Sequence, residues 1–161
     1  MKNNNTHEFF MNIALKEAKK ALKIGEVPIG AIVVDENNKI IGKGYNKAEK
    51  TGCQTAHAEI IAIKQACKKK GNWRLEGCTI YVTLEPCLMC FGLIALSRMK
   101  SIFYGAKSPL FGAGLDNMSN FPVYNKELFS ISNLNTAESI FLLQQFFKER
   151  RKKGPDNGAS F

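Results

Sequence analysis

Two short segments, His57-Ala58-Glu59 and Pro86-Cys87-Leu88-Met89-Cys90, restrict the folds open to this chain more than any other feature. One imidazole and two thiolates are three ligands for a tetrahedral metal ion. Thirty residues separate His57 from Cys87, so a fold that uses them must bring two remote segments to one point. Three protein ligands leave the fourth position of a zinc ion open to water, which is the arrangement of a catalytic site rather than a structural one. A carboxylate at Glu59 would close that position as a ligand; beside the ion it is better used to move protons. Cys87 and Cys90 are three apart, so within a first helical turn they share a face. His57 and Glu59 are two apart and diverge along a regular helix, so they serve one ion only where a helix starts. Two helices beginning at the ion would turn free N–H groups and positive dipole ends toward it, lowering the thiolate pKa values.

A lone C-x-x-C is often a structural zinc site or a redox pair. A structural site needs a fourth Cys or His, and the candidates His7, Cys53, Cys67 and Cys78 lack ligand spacing, Cys53 being the nearest to His57. A redox pair has no use for His57 or Glu59. The cysteines number five, odd and scattered, which is not a disulfide framework. Cys67 falls on an apolar helix face and reads as a small buried hydrophobe.

The chain of 161 residues, 45% of them hydrophobic, suits one core. We expect a single domain over 1–153 and a flexible tail over 154–161. Residues 7–24 read as an amphipathic helix stopped by Gly25. Pro28–Asp35 and Ile40–Asn46 flank turn chemistry at 35–39 and form a hairpin. Lys47–Thr55 reads as a polar loop. His57–Lys70 is helical, with Ile60, Ile61, Ile63, Ala66 and Cys67 buried and Gly71 closing it. Thr79–Leu84 is a third strand, Cys87–Arg98 a helix after Pro86, and Ser101–Gly105 a fourth strand. Lys107–Asn125 is a long loop of the kind that is usually functional, with a turn of helix near Leu115–Met118. Lys126–Ser132 is a last strand. Asn135 and Glu138 suit an N-cap and capping-box partner for a final helix carrying Ile140, Leu142, Leu143, Phe146 and Phe147. This order predicts an α/β fold: three layers, α/β/α, around a mixed central sheet.

Net charge is +9, from 23 Lys+Arg against 14 Asp+Glu, which favours a polyanionic partner. The cationic run Lys148, Arg150, Arg151, Lys152 and Lys153 stands beside Phe146 and Phe147, so phosphate contacts and base stacking are expected from Phe147, Arg150 and Arg151. The plainer alternative makes both Phe residues core and the run a solvated helix end. The N-terminus lacks the apolar stretch of a signal peptide, and the apolar run around Ile29–Val34 is too short for a bilayer. We expect a cytoplasmic protein with no membrane partner.

At these residues the chain resembles the tRNA-specific adenosine deaminases of the cytidine deaminase-like superfamily, whose signature is H-x-E with P-C-x-x-C. Glu26-Val27-Pro28-Ile29-Gly30-Ala31, Gly44-Tyr45-Asn46, Thr55-Ala56-His57-Ala58-Glu59-Ile60, Tyr81 to Cys90, and Phe146-Phe147-Lys148-Glu149-Arg150-Arg151 carry the likeness, over about residues 8–153. The resemblance implies a cytidine deaminase-like fold and a homodimer. It implies conversion of the wobble adenosine of a tRNA anticodon loop to inosine. It further implies one zinc per subunit on His57, Cys87 and Cys90, with Glu59 as proton shuttle. Asn46 would hydrogen-bond the flipped base, with Ile29 and Leu84 packing on it. Otherwise Ile29 and Leu84 are ordinary strand core and Asn46 caps a turn. Two loops that flank the family's substrate depart from its pattern. Cys53-Gln54 stands where Asp-Pro is common, and Lys107-Ser108-Pro109-Leu110-Phe111-Gly112 replaces an acidic residue followed by Lys-Thr-Gly.

Two other functions compete. A deaminase of free bases or nucleotides, of guanine or cytosine type, needs neither the basic surplus nor the Phe-Phe-basic end. A non-catalytic RNA-binding zinc protein has no need of Glu59.

Overall fold

In the computed structural model, which describes residues 3–115, 130–134 and 136–152, side-chain alternation along the strands decides the layers. The elements are α1 (Asn3–Lys23), β1 (Gly30–Val34), β2 (Ile40–Tyr45), α2 (Ala48–Thr51), a 3₁₀ turn (Gln54–Ala56), α3 (Ala58–Lys70), β3 (Thr79–Leu84), α4 (Leu88–Leu96), β4 (Ser101–Ala106), β5 (Ser130–Asn133) and α5 (Ala137–Lys152). Ala31 and Val33 of β1, Ile80 and Val82 of β3, and Ile102 and Tyr104 of β4 join Ala58, Ala62, Ile63 and Ala66 of α3 and Phe91 and Ile94 of α4 in one core. The intervening Ile32, Val34 and Tyr81 join Phe10, Met11, Ala14, Leu15 and Ala18 of α1 and Leu142 of α5 in another, with Phe103 packed against it. A period of two puts alternate residues on opposite faces, and this sheet is apolar on both. It therefore lies between two helical layers, as the three-layer expectation requires.

The strand order is β2-β1-β3-β4-β5. β1 is antiparallel to both β2 and β3, whereas β3–β4 and β4–β5 are parallel. The β1–β2 hairpin is closed by Asp35, whose carboxylate accepts the backbone N–H groups of Asn37 at 2.9 Å and Lys39 at 2.8 Å. The parallel β3–β4 pair needs a crossover, and α4 supplies it. That geometry delivers Cys87 and Cys90 just past the C-terminal end of β3. α3 lies tightly on β2 because Gly42 and Gly44 have no side chain; a Cβ on either would collide with the backbone of Ala62 or Ala58. This contact seats the start of α3, and so His57 and Glu59, against the sheet.

Several local expectations change. α1 starts at Asn3, earlier than the apolar periodicity indicates. The polar stretch 47–55 holds α2 and most of the 3₁₀ turn. Ile61 and Cys67 are half-buried rather than buried, since they sit at the border of the α3 contact face. α4 ends at Leu96, and Arg98 turns left-handed at φ +57°. The Glu138 carboxylate pairs with Lys19 at 2.6 Å, joining α5 to α1. Asn135, residues 116–118 of the expected helical turn, residues 126–129 of the expected last strand and the tail 154–161 lie outside the described residues. Among the described residues no helix is long and apolar enough to cross a membrane.

Candidate active site

His57 and Cys87 occupy the same structural position in two helices. Each is the N-cap, of α3 and α4 respectively, with extended backbone at φ −67°, ψ 150° and φ −69°, ψ 167°. Both helices therefore begin at one point, and Cys90 comes back to it from the first turn of α4. His57 Nδ1 lies 3.5 Å from Cys90 Sγ and 3.7 Å from Cys87 Sγ. All three ligand atoms lie within 4.8 Å of one another, and no other such group occurs among the described residues. Tetrahedral zinc with its usual bond lengths holds a sulfur and a nitrogen about 3.6 Å apart. The donor set and its spacing fit the ion. His7, Cys67 and Cys78 lie outside the group, and Cys53 contacts the Thr55 hydroxyl at 3.0 Å instead.

The other imidazole nitrogen, Nε2, is 3.2 Å from the side-chain oxygen of Gln54. Nε2–H donates to that oxygen, which turns Nδ1 toward the two sulfurs. Cys87 is pulled down to about 4, chiefly by the hydrogen bond it accepts from the Cys90 thiol and then by His57. Cys90, the donor and buried, is pushed up. His57 is raised, mainly by its hydrogen bond with Cys87. The positive ends of α3 and α4 favour negative charge at the same point.

Above the three ligands opens a cavity of about 800 Å³. Glu59 reaches it although only 4% exposed, and burial holds its carboxyl above the usual carboxylate range. His57, Cys87, Asn46, Ile29, Leu84 and Phe147 all line this space, so residues far apart in sequence meet there. Cys90 is buried behind the wall. The two neighbouring phenylalanines divide: Phe146 is core, while Phe147 is exposed and borders the cavity. Arg150 and Arg151 are outside the lining, on the exposed end of α5, with the Arg150 guanidinium 5.9 Å from the Phe146 ring.

Three residues that sequence reasoning missed hold this wall together. Glu26 is buried; its carboxylate accepts the Asn46 side-chain N–H at 3.2 Å and the backbone N–H groups of Glu49 and Lys50 at 3.3 and 2.7 Å. Asn46 Oδ1 is left buried with no partner among the described residues. Glu85 accepts the backbone N–H groups of Ser108 at 3.1 Å and Leu115 at 2.9 Å, pinning the loop after β4. Gln54 fixes His57. Glu26 and Glu85 stand within segments that carry the family likeness and Gln54 within a loop that departs from it, but the sequence gives no sign of the partners that each one holds.

Residues 4–106 match the cytidine and deoxycytidylate deaminase zinc-binding region. The chain belongs to this deaminase family. It is a zinc-dependent deaminase, with His57, Cys87 and Cys90 positioned for one ion. A tRNA-specific adenosine deaminase of Bacillus subtilis (strain 168) is 45% identical over 148 residues, covering 91% of each chain. A solved structure from work on A-to-I editing by tRNA:A34 deaminases at the wobble position has a TM-score of 0.77 and 37% identity, covering 84% of this deaminase and 99% of that chain. A guanine deaminase from Bacillus subtilis has a TM-score of 0.60 and 39% identity, but covers 63% of this chain and 64% of its own.

Proposed function

We propose that this deaminase converts the wobble adenosine of a tRNA anticodon loop to inosine. The observation that carries the reading is the form of the site: a buried carboxyl and three metal ligands at the floor of a cavity that opens between α5 and the loop after β4. A base in a single-stranded loop can be flipped into such a space at small cost. The relatives named for this activity, matched over nearly their whole length, support it.

His57, Cys87 and Cys90 would hold zinc. When bound, the ion brings the pKa of a water to about 7. Glu59 takes a proton from the attacking water and delivers it to ring N1, next to the attacked C6. The same carboxyl then takes the second proton from the hydroxyl added at C6 and gives it to the amino group, so that the C6–N bond breaks, the C6 carbonyl forms and ammonia leaves. Asn46 presents its unpartnered oxygen to an N–H of the base, held in that orientation by Glu26. Ile29 and Leu84 pack on the base, and Phe147, Arg150 and Arg151 meet the flanking RNA.

The protein acts as a homodimer in the cytoplasm on this reading. Leu88, Met89 and Leu96 of α4 and the nearby Trp73 are exposed large apolar side chains, which a second copy would cover. Light scattering should give twice the chain mass.

The guanine deaminase likeness makes free guanine the substrate to exclude. Zinc-loaded enzyme is incubated with a tRNA carrying adenosine at the wobble position, and separately with free adenosine, cytidine and guanine, followed by nucleoside analysis. Inosine should form in the tRNA alone. Turnover of a free base or nucleoside in place of tRNA overturns the assignment.

A further inference from the structure

Between the two backbone N–H groups held by Glu85, the loop after β4 turns outward. The Gly112 N–H donates to the Ser108 carbonyl at 2.9 Å, the Ala113 N–H donates to the Pro86 carbonyl at 2.9 Å, and Gly112 bridges to Cys87. Leu115 is buried at the far end. The loop is therefore tied at both ends to Glu85-Pro86-Cys87, the segment that carries a metal ligand. Its tip nevertheless carries two large apolar side chains in solvent: Leu110 is 85% exposed and Phe111 is 77% exposed. Both border the cavity that Glu59 reaches.

The cavity accommodates the target base, so a group at its mouth meets what is covalently joined to that base. In a single-stranded nucleic acid the nearest flat apolar surface is the adjacent base. Stacking on an aromatic side chain is how unpaired bases are held, and it tolerates any base because each has a π-face. The basic surplus of +9 suits the intervening phosphate. We propose that Leu110 and Phe111 form a stacking platform for the unpaired base next to the one deaminated. Glu85 acts as a positioning residue that keeps the platform at the cavity mouth. The inference rests on an RNA loop being the substrate.

A protein–RNA double-mutant cycle tests it. Wild-type and Phe111→Ser enzymes, both zinc-loaded, are assayed on an anticodon stem-loop and on two versions with an abasic nucleotide 5′ or 3′ of the target adenosine. Phe111→Ser should lower kcat/KM on the intact stem-loop about ten-fold, within the range for one lost base stack. One abasic RNA should cost the wild type a similar factor and cost Phe111→Ser little more. Phe111→Trp should restore the wild-type pattern, and a 2-aminopurine at the coupled position should be quenched by wild type and Phe111→Trp more than by Phe111→Ser. Purely additive losses on both abasic RNAs overturn the platform, as does a Phe111→Ser enzyme of halved mass by light scattering, which makes the tip a contact between copies. A wild-type enzyme that leaves the intact stem-loop unedited overturns the RNA substrate itself, and the platform with it.

Discussion

The chain has two histidines, and they sit on opposite sides of one sheet. His7 lies in α1, where Nδ1 is 2.8 Å from the Tyr81 hydroxyl and the ring stacks on Phe103 at 4.0 Å between centroids. Tyr81 in turn stacks on Phe103, and burial pushes the Tyr81 hydroxyl up to about 12. His57 caps α3, with Nδ1 turned to two thiols and Nε2 to Gln54. Burial lowers the pKa of His7, while the hydrogen bond with Cys87 raises that of His57. The side chain is the same; the element that carries it decides its role. Within a helix laid on a sheet, the imidazole is one more packed ring with a satisfied nitrogen. At a helix start beside a second helix start, the same ring turns one nitrogen to two thiols and has a positive potential around it.

The strongest way to break this contrast is to exchange the fates of the two residues. His57→Ala and Cys87→Ala should lose most of about one equivalent of zinc per chain and, with it, turnover. His7→Phe should keep both. Metal analysis of purified protein decides it, and full zinc occupancy in both Cys87→Ala and Cys90→Ala means that the ligands lie elsewhere.

Next in size is the carboxyl between the ligands and the cavity. Glu59→Gln fills the same space and cannot carry a proton. It should retain fold and zinc while turnover falls by about 10²–10⁴-fold, the usual range for one acid–base group, or by more because this one serves several steps. Near-normal turnover would end the proton-shuttle role.

A smaller effect separates the cavity from the basic end of α5. Arg150, Arg151 and Lys152 are exposed and lie outside the cavity lining. If they meet phosphates, replacing all three by Gln should lower the salt dependence of RNA binding, reducing the slope of log K against log salt by about 2. Zinc content and Tm should stay as they are. An unchanged slope leaves the run as a solvated helix end.

How much of this was legible in the sequence follows from the range of the interactions. Alternation such as Ala31-Ile32-Val33-Val34 announces a strand buried on both faces, and the helix starts at His57 and Cys87 follow from the motif spacing, from Pro86 and from the apolar runs behind them. The split between Phe146 and Phe147 was left open because it depends on where α5 lies against β4. The β-strand order depends on which strands close the core, and the antiparallel β1–β3 pair spans segments about fifty residues apart in sequence. Glu26 and Glu85 hold partners 20 to 30 residues away in sequence. Such a carboxylate looks like any surface acid until the fold brings backbone N–H groups to it.

The smallest expected effect belongs to His7 and sharpens the contrast from the quiet side. Its pKa is lowered in the folded chain, so folding favours the neutral ring. The sign follows: the unfolded chain binds a proton near pH 6.5, so the stability from this residue is complete above that pH and is lost as pH falls through the lower folded value. Absolute stability cannot isolate this, because His7→Phe also strips the Tyr81 hydroxyl of its partner at every pH. The difference between wild type and His7→Phe, measured at each pH on zinc-loaded protein, cancels His57 and every other group the two chains share. Relative to pH 7.5, the wild type should lose Tm against His7→Phe by pH 5. A difference that does not move with pH makes His7 a mere filler of the aromatic stack. A difference that moves the other way means that the folded chain prefers the charged ring, so that the two histidines are not opposites after all.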